Sequence, residues 1–483
     1  MTGSGTVRNY ACLVAGERLT TKSAVPVLDP YTEPVIGEAA EGDRSTVDAA
    51  VATAVAAQEE WARTPLSTRR RVLDLAADIL DERRDELVDL AIADTGARRP
   101  VAAELQVGAP ITRLRAWARQ PDDVLGWAAA DRDGLGGRVT RTPVGVVGCI
   151  SPSNFPMHSI SGKVAPALFA GNTVVMKPAP QDPLLVSALA AALNSALAAE
   201  NAPAGAVNLV LGTGPETGAA LAAHPDARAI SFTGSTAVGT AIYRSGAESM
   251  KRLLLELGGK GALIVRHDAD LDSVIAAVTR TWTIQAGQVC LTPARILADR
   301  RIHDDLLARL RAALAELVHG DPRDATTTVG PLVSADQQAR VTALTDTARR
   351  EGATVETASG VPSHGWFHPA TLVSDCRPEQ TVMQEDVFGP VLCVMPTSDD
   401  DEAVDAANST RYGLTDYVFS RNVHEAEAVA GRLDTAQVAI NTVRRHPDLP
   451  FGGNKASGLG RSGGTYALDS YTDLRAVVTA ESH

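Results

Sequence analysis

The sequence predicts an α/β protein centred on a Rossmann-type, doubly wound parallel sheet. Three observations predict it. From residue 144 onward short apolar runs alternate with helical patterns, and strands separated by helices of that length pair in parallel. A glycine-bounded turn, Gly234-Ser235-Thr236-Ala237-Val238-Gly239, directly follows one of those runs and opens a helix. After Gly259 the alternation resumes, so a second α/β unit is expected.

Residues 45–60 read as a helix, with Ser45 or Thr46 as cap and Val47, Val51 and Val55 on one stripe. A second helix is expected from Ser67, with Val72, Leu75, Ile79, Leu80, Leu87 and Leu90 inward, ending at Gly96. Val144 to Ile150 and Thr173 to Met176 read as buried strands, the latter followed by a helix through Ala199. Ala206 to Leu211, Ala229 to Phe232 and Leu253 to Leu257 continue the series. In the second unit Ala262 to Val265 is a strand, and a long helix runs from Asp270 to Gly287. Arg295 to Ala298 follows as a strand, with a helix to Leu317. Segments 121–143 and 468–483 fit neither layer.

With 483 residues the chain is too long for one core, and two or three domains are expected. A net charge of −13 argues against nucleic acid or an anionic membrane surface as partner. No run of apolar residues is long enough to span a membrane. The first ten residues carry no signal-peptide core. The five cysteines are scattered with no CxxC pair, so no zinc or dithiol centre is expected. The cysteine spacing fits a reducing, cytoplasmic setting.

The chemistry concentrates at a few points. Gly287-Gln288-Val289-Cys290 places a thiol after a glycine turn, 34 residues beyond Glu256 in Glu256-Leu257-Gly258-Gly259-Lys260. A thiolate is a nucleophile, and a carboxylate in a partly apolar setting can serve as base. Asn154, in Ser153-Asn154-Phe155-Pro156, offers an amide that could stabilise an oxyanion. The free N–H groups of a helix opening at Gly234, Ser235 and Gly239 suit a phosphate. No lysine follows Gly239, which disfavours an ATP-binding P-loop.

Taken in order with Phe388-Gly389-Pro390 and with Pro450-Phe451-Gly452-Gly453-Asn454-Lys455, these motifs resemble the aldehyde dehydrogenase superfamily over nearly the whole chain. The resemblance implies a dinucleotide-binding domain (1–120 and 144–257), a catalytic domain (258–455) and a bridging, oligomerising element (121–143 and 468–483); surface loops are the plainer reading of that last pair. It implies oxidation of an aldehyde to the acid with NAD, with NADP left open, in a homodimer or homotetramer. Cys290 would form the thiohemiacetal, Asn154 and the Cys290 backbone N–H would hold the oxyanion, and Glu256 would activate the water that hydrolyses the thioester. Lys163 would join a proton relay. Ser151, Lys177, Gly234, Ser235, Gly239, Leu257, Asp386 and Phe388 would hold the cofactor.

Several positions depart from the family pattern. Pro180 stands where a carboxylate usually excludes a 2′-phosphate, Ser153 where tryptophan is common, Asp386 where glutamate is common, and Ser462 where a second glutamate is often found. Phe155 and Phe451 would wall the substrate tunnel. Ser159 and Gly162 replace bulkier residues, which predicts a wide pocket. In Arg444-Arg445-His446 one arginine, Arg444 among the candidates, would pair with an anionic group on the aldehyde; a solvated charge run is the competing reading. Rival activities are a coenzyme A-acylating relative, disfavoured by Glu256, a cysteine hydrolase, which needs a histidine partner, and a non-catalytic protein that has kept the fold.

Overall fold

The computed structural model describes residues 8–132 and 134–480. Its first large sheet has five parallel strands in the spatial order Arg252–Glu256, Ala227–Thr233, Val146–Ile150, Thr173–Lys177, Val207–Leu209. Cys12–Val14 and Glu17–Leu19 extend one edge and Gly458–Leu459 the other, all antiparallel. Val146–Ile150 and Thr173–Lys177 are buried at every position, as continuous apolar runs covered on both faces should be. Register fixes the function of this sheet. Ile150 pairs with Phe232 and with Lys177, and Thr233 pairs with Glu256. Four strands thus end at one level, where doubly wound sheets bind their ligands.

The second sheet has seven strands in the order Thr354–Thr357, Thr371–Ser374, Val391–Thr397, Arg295–Asp299, Ala262–Val265, Thr415–Phe419, Gln437–Ile440, parallel except at the first pair. Each large sheet has its own core. Leu73, Phe169 and Leu189 lie in one, and Trp282, Leu310 and Tyr417 in the other.

Residues 121–143, set apart by sequence, form a short turn of helix at Asp122–Leu125 and a hairpin of Gly126–Arg132 with Leu135–Pro143. Thr472–Ala480 pairs along the whole second strand of that hairpin, from Thr472↔Pro143 to Ala480↔Leu135. Residues 481–483 of the expected bridging tail, and 1–7 of the expected first domain, lie outside the described residues. Among the described residues no helix is long and apolar enough to cross a membrane.

Three local expectations change. The first helix spans Arg44–Arg63 and its cap is Asp43, not Ser45 or Thr46: Asp43 accepts from the Thr46 N–H while Thr46 Oγ1 accepts from the Asp43 N–H. That reciprocal pair satisfies two otherwise unpaired donors, which a cap two or three residues later could not do. The second expected helix is two, Leu66–Glu82 and Arg84–Thr95, broken at Arg83 (φ −104°, ψ 17°). The long helix toward Gly287 stops at Thr283, because Gln285 (φ 49°), Ala286 (φ 50°) and Gly287 (φ 71°) are left-handed in succession. Left-handed non-glycine residues cost about 1 kcal/mol or more each. Neighbouring bonds hold the turn: Gln285 Nε2 donates to the Thr95 carbonyl (2.8 Å) and Gln288 Nε2 to the Gln285 carbonyl (2.9 Å). At Gly287 a Cβ would lie 2.2 Å from the Gly389 carbonyl oxygen, so only glycine fits. This turn delivers Cys290 to the end of the first sheet.

Candidate active site

One cavity of about 2160 Å³ runs along the carboxyl ends of the first sheet and joins two regions. One stretch of its lining holds Asn154, Lys163, Glu256, Cys290, Arg445, Phe451 and Ser462. Its other arm is lined by Ser151, Lys177, Gly234, Ser235, Leu257, Asp386 and Phe388.

Cys290 is the one cysteine among the five that is not fully buried. Burial pushes its thiol up to about 12, and the charges of Glu256 and Asp386 push the same way; Arg445 opposes them. The thiol is therefore protonated at rest and needs a proton acceptor before it attacks. Asn154 sits just past the strand Val146–Ile150. Its carbonyl accepts from buried Gln106 Nε2 (2.8 Å), and its side-chain oxygen accepts from the Phe155 N–H (3.0 Å). Its Nδ2 donates to the carbonyl of Gln288 (2.6 Å), two residues before the thiol. The amide is thereby tied to the Cys290 loop, with its second hydrogen left for a ligand. On the other side of the loop, the Tyr417 hydroxyl donates to the Leu291 carbonyl (2.5 Å).

Glu256 ends its strand at the level of Thr233, whose hydroxyl donates to Oε2 (3.2 Å); Ser462 Oγ donates to Oε1. Lys163 Nζ donates to the same Thr233 hydroxyl (2.7 Å), so lysine, threonine and glutamate form one chain. Burial pulls Lys163 below the usual lysine range, against the opposing effect of Glu256.

The other arm suits a dinucleotide. Ser235 caps the helix Thr236–Gly246 by accepting from the Val238 N–H, and the remaining first-turn N–H groups have no helical partner. A Cβ at Gly239 would lie 2.4 Å from Leu257, so glycine lets this helix close on the strand end. Ser151 Oγ is buried beside the cavity with no hydrogen-bond partner among the described residues. Lys177 Nζ donates to the Pro178 carbonyl (2.9 Å), and burial lowers it to about 8. Asp386 is raised by burial to about 6, with Lys260 and Arg340 opposing, and follows the same loop as Phe388 (φ 55°), whose carbonyl accepts from Gln337 Nε2 (2.8 Å).

At the substrate end the arginine run resolves. Arg444 and Arg445 both line the cavity, Arg444 on its exposed side; Arg445 lies with its guanidinium 4.3 Å from the centre of the Phe451 ring, and its Nε is buried with no hydrogen-bond partner among the described residues. The room expected at Gly162 is taken: a second guanidinium, Arg113 from the helix Ala109–Ala118, lies where a Cβ at 162 would stand 3.4 Å from Nη1. Burial and repulsion from Arg445 pull Arg113 down to about 10, while Glu256 opposes. Ser159 and Phe155 line the same end. Sequence reading missed Arg113 and His158, which lie in no motif, and it named Ser462 only as a departure without foreseeing that Ser462 and Thr233 both bond Glu256.

The chain matches the family model described as "Aldehyde dehydrogenase family" over residues 18–477. It is 37% identical over 462 residues to a 2-hydroxymuconic semialdehyde dehydrogenase of Pseudomonas sp., covering 93% of this chain and 94% of that one. It is 33% identical over 487 residues to human 2-aminomuconic semialdehyde dehydrogenase, covering 99% of each. Among solved structures, betaine aldehyde dehydrogenase from Staphylococcus aureus in complex with NAD+ matches with a TM-score of 0.93 at 30% identity, covering 98% of this chain and 94% of that one. The chain belongs to the aldehyde dehydrogenase family of oxidoreductases.

Proposed function

We propose that the enzyme oxidises an aldehyde bearing a carboxylate to the corresponding acid, using NAD+, by covalent catalysis at Cys290. The observation that carries the reaction is the convergence of Cys290, Asn154 and Glu256 in one cavity. Cys290 gives up its proton toward Glu256 and adds to the aldehyde carbon. Asn154 Nδ2, tied to the Gln288 carbonyl, and the Cys290 backbone N–H hold the resulting oxyanion. The chemistry supplied by NAD+ in the adjoining arm is acceptance of the hydride. Glu256 then takes a proton from the water that attacks the thioester, and the chain through Thr233 to Lys163 and the Ser462 hydroxyl keeps its carboxylate aimed. Ser151, Lys177, Gly234, Ser235, Gly239, Leu257, Asp386 and Phe388 would hold the dinucleotide. Pro180 places no carboxylate beside Lys177, so NADP+ should also be accepted.

The 1–120 and 144–257 segments are proposed as the dinucleotide-binding domain, 258–455 as the catalytic domain, and 121–143 with 468–483 as a bridge to another subunit. Supporting the bridge, Leu474 (60%), Val478 (67%), Leu135 (50%) and Trp127 (47%) are exposed apolar side chains on that three-stranded sheet. The reduced thiols suit a cytoplasmic setting. A cysteine-hydrolase reading is unsupported: His158, which lines the cavity, has both ring nitrogens engaged, one by the Leu105 carbonyl and one by Arg113.

For the anionic substrate, the support is two guanidiniums, Arg113 and Arg445, with no ion-pair partner among the described residues. The semialdehyde names of the relatives above agree with it. A panel of neutral and carboxylate-bearing aldehydes with NAD+ and NADP+, read by absorbance of the reduced nicotinamide, tests the whole reading. Acid should form without coenzyme A, and no turnover with any aldehyde would refute it. Arg445→Ala should lower the preference for succinic semialdehyde over butanal at least about tenfold, the usual scale for losing one partner of a desolvated charge pair. Asn154→Ala should cut kcat about 10²- to 10³-fold with little change in aldehyde KM, as expected for one lost oxyanion donor; a kcat close to that of wild type would remove the residue from the oxyanion site.

A further inference from the structure

His158 is buried in the cavity wall, and the reaction has no use for it. It lies on the helix Pro156–Phe169, which packs on the Arg113 helix Ala109–Ala118. Its ring Nδ1 is 3.2 Å from the Leu105 carbonyl, an acceptor only, so Nδ1 carries the hydrogen. Nε2 is then a lone-pair acceptor, 3.1 Å from Arg113 Nη2. Around it stand Arg113, Arg445 and the Leu105 carbonyl, and burial with the two arginine charges holds the ring neutral.

The same helix engages Arg113 twice more. Arg113 Nη1 donates to the His158 carbonyl and to Ser161 Oγ (3.0 Å). Three of the five guanidinium hydrogens are therefore directed at one turn of helix. Nε–H and the second Nη2 hydrogen have no acceptor among the described residues. Those two hydrogens form the side-on fork that receives a carboxylate in bidentate fashion.

We propose that His158 is a specificity-determining positioning residue: by accepting from Arg113 Nη2, it turns the Nε and Nη2 edge of that guanidinium toward the cavity as the receptor for the substrate's carboxylate. This rests on the anionic-substrate reading above. A protonated or apolar side chain at 158 would remove the acceptor, leaving the guanidinium free to rotate its fork away.

The test measures kcat and KM for succinic semialdehyde and for butanal in wild type, Arg113→Ala, His158→Phe and His158→Gln. Wild type should prefer succinic semialdehyde, and Arg113→Ala should lose that preference. His158→Phe should lower the kcat/KM ratio of the two substrates at least tenfold, through KM. His158→Gln, whose Oε1 can stand near the place of Nε2, should restore most of it. If the phenylalanine variant does not fold, His158→Asn, long enough for Leu105 but not for Arg113, serves instead. A preference that survives His158→Phe, or falls equally for both aldehydes, overturns the role of His158 while the anionic reading stands. No preference in wild type overturns both.

Discussion

Replacing Cys290 by alanine is expected to abolish turnover, lowering kcat at least about 10⁴-fold, because loss of a covalent nucleophile removes a pathway and not one contact. Binding of NAD+ should persist, since the substitution leaves Lys177, Ser235 and the helix opening at Thr236 in place. The thiol can also be followed directly. Burial and the charges of Glu256 and Asp386 push it up to about 12, so alkylation by iodoacetamide in the free enzyme should keep rising well above pH 9 instead of levelling near the free-thiol value of ~8.5. The sign of each neighbour is testable. Glu256 raises the thiol and Arg445 lowers it. At a fixed pH below the midpoint, Glu256→Gln should therefore speed alkylation and Arg445→Ala should slow it. Alkylation that levels near pH 8.5 in wild type, or neighbours that act in the reverse sense, would refute this electrostatic account of the site.

Replacing Glu256 by glutamine should produce the second-largest effect, a fall in kcat of about 10²- to 10⁴-fold, the range for losing a positioned general base. The amide can still meet Thr233 and Ser462, so the fold should hold. What changes is proton acceptance. Among the described residues no second base is bonded there: Lys163 reaches Glu256 only through Thr233, and Ser462 offers a hydroxyl. Because the same carboxylate accepts the thiol proton, acylation should also slow and show no burst of reduced nicotinamide, and the acyl-enzyme that does form should persist, visible as a mass increase on the Cys290 peptide. Full steady-state turnover in this variant would mean that water is activated by another group.

Much of this was legible beforehand where chemistry and chain order coincide. The alternation after residue 144 announces a parallel sheet, and the strand bounds move by only one or two residues. Cys290, Glu256 and Asn154 stand in motifs because each must occupy a particular turn or strand end. Helix ends were less legible. The cap at Asp43 depends on a reciprocal bond with Thr46, and the stop at Thr283 depends on three left-handed residues that no apolar periodicity reports. The substrate end was the least legible. Arg113 lies in Thr112-Arg113-Leu114-Arg115, where two arginines are equally plausible surface residues; Arg115 pairs with Asp78 and Asp81, while Arg113 turns into the cavity.

The sequence alone determined the α/β class and singled out the thiol and the carboxylate of the proposed site, because periodicity and local turn chemistry are short-range properties. Only tertiary structure decided that Arg445 packs over the Phe451 ring beside Arg444 in the cavity wall, that Arg113 fills the room at Gly162, and that Ser462 meets Glu256 across 206 residues of chain. Those contacts depend on how helices and loops distant in the chain pack, and no local pattern encodes such a meeting.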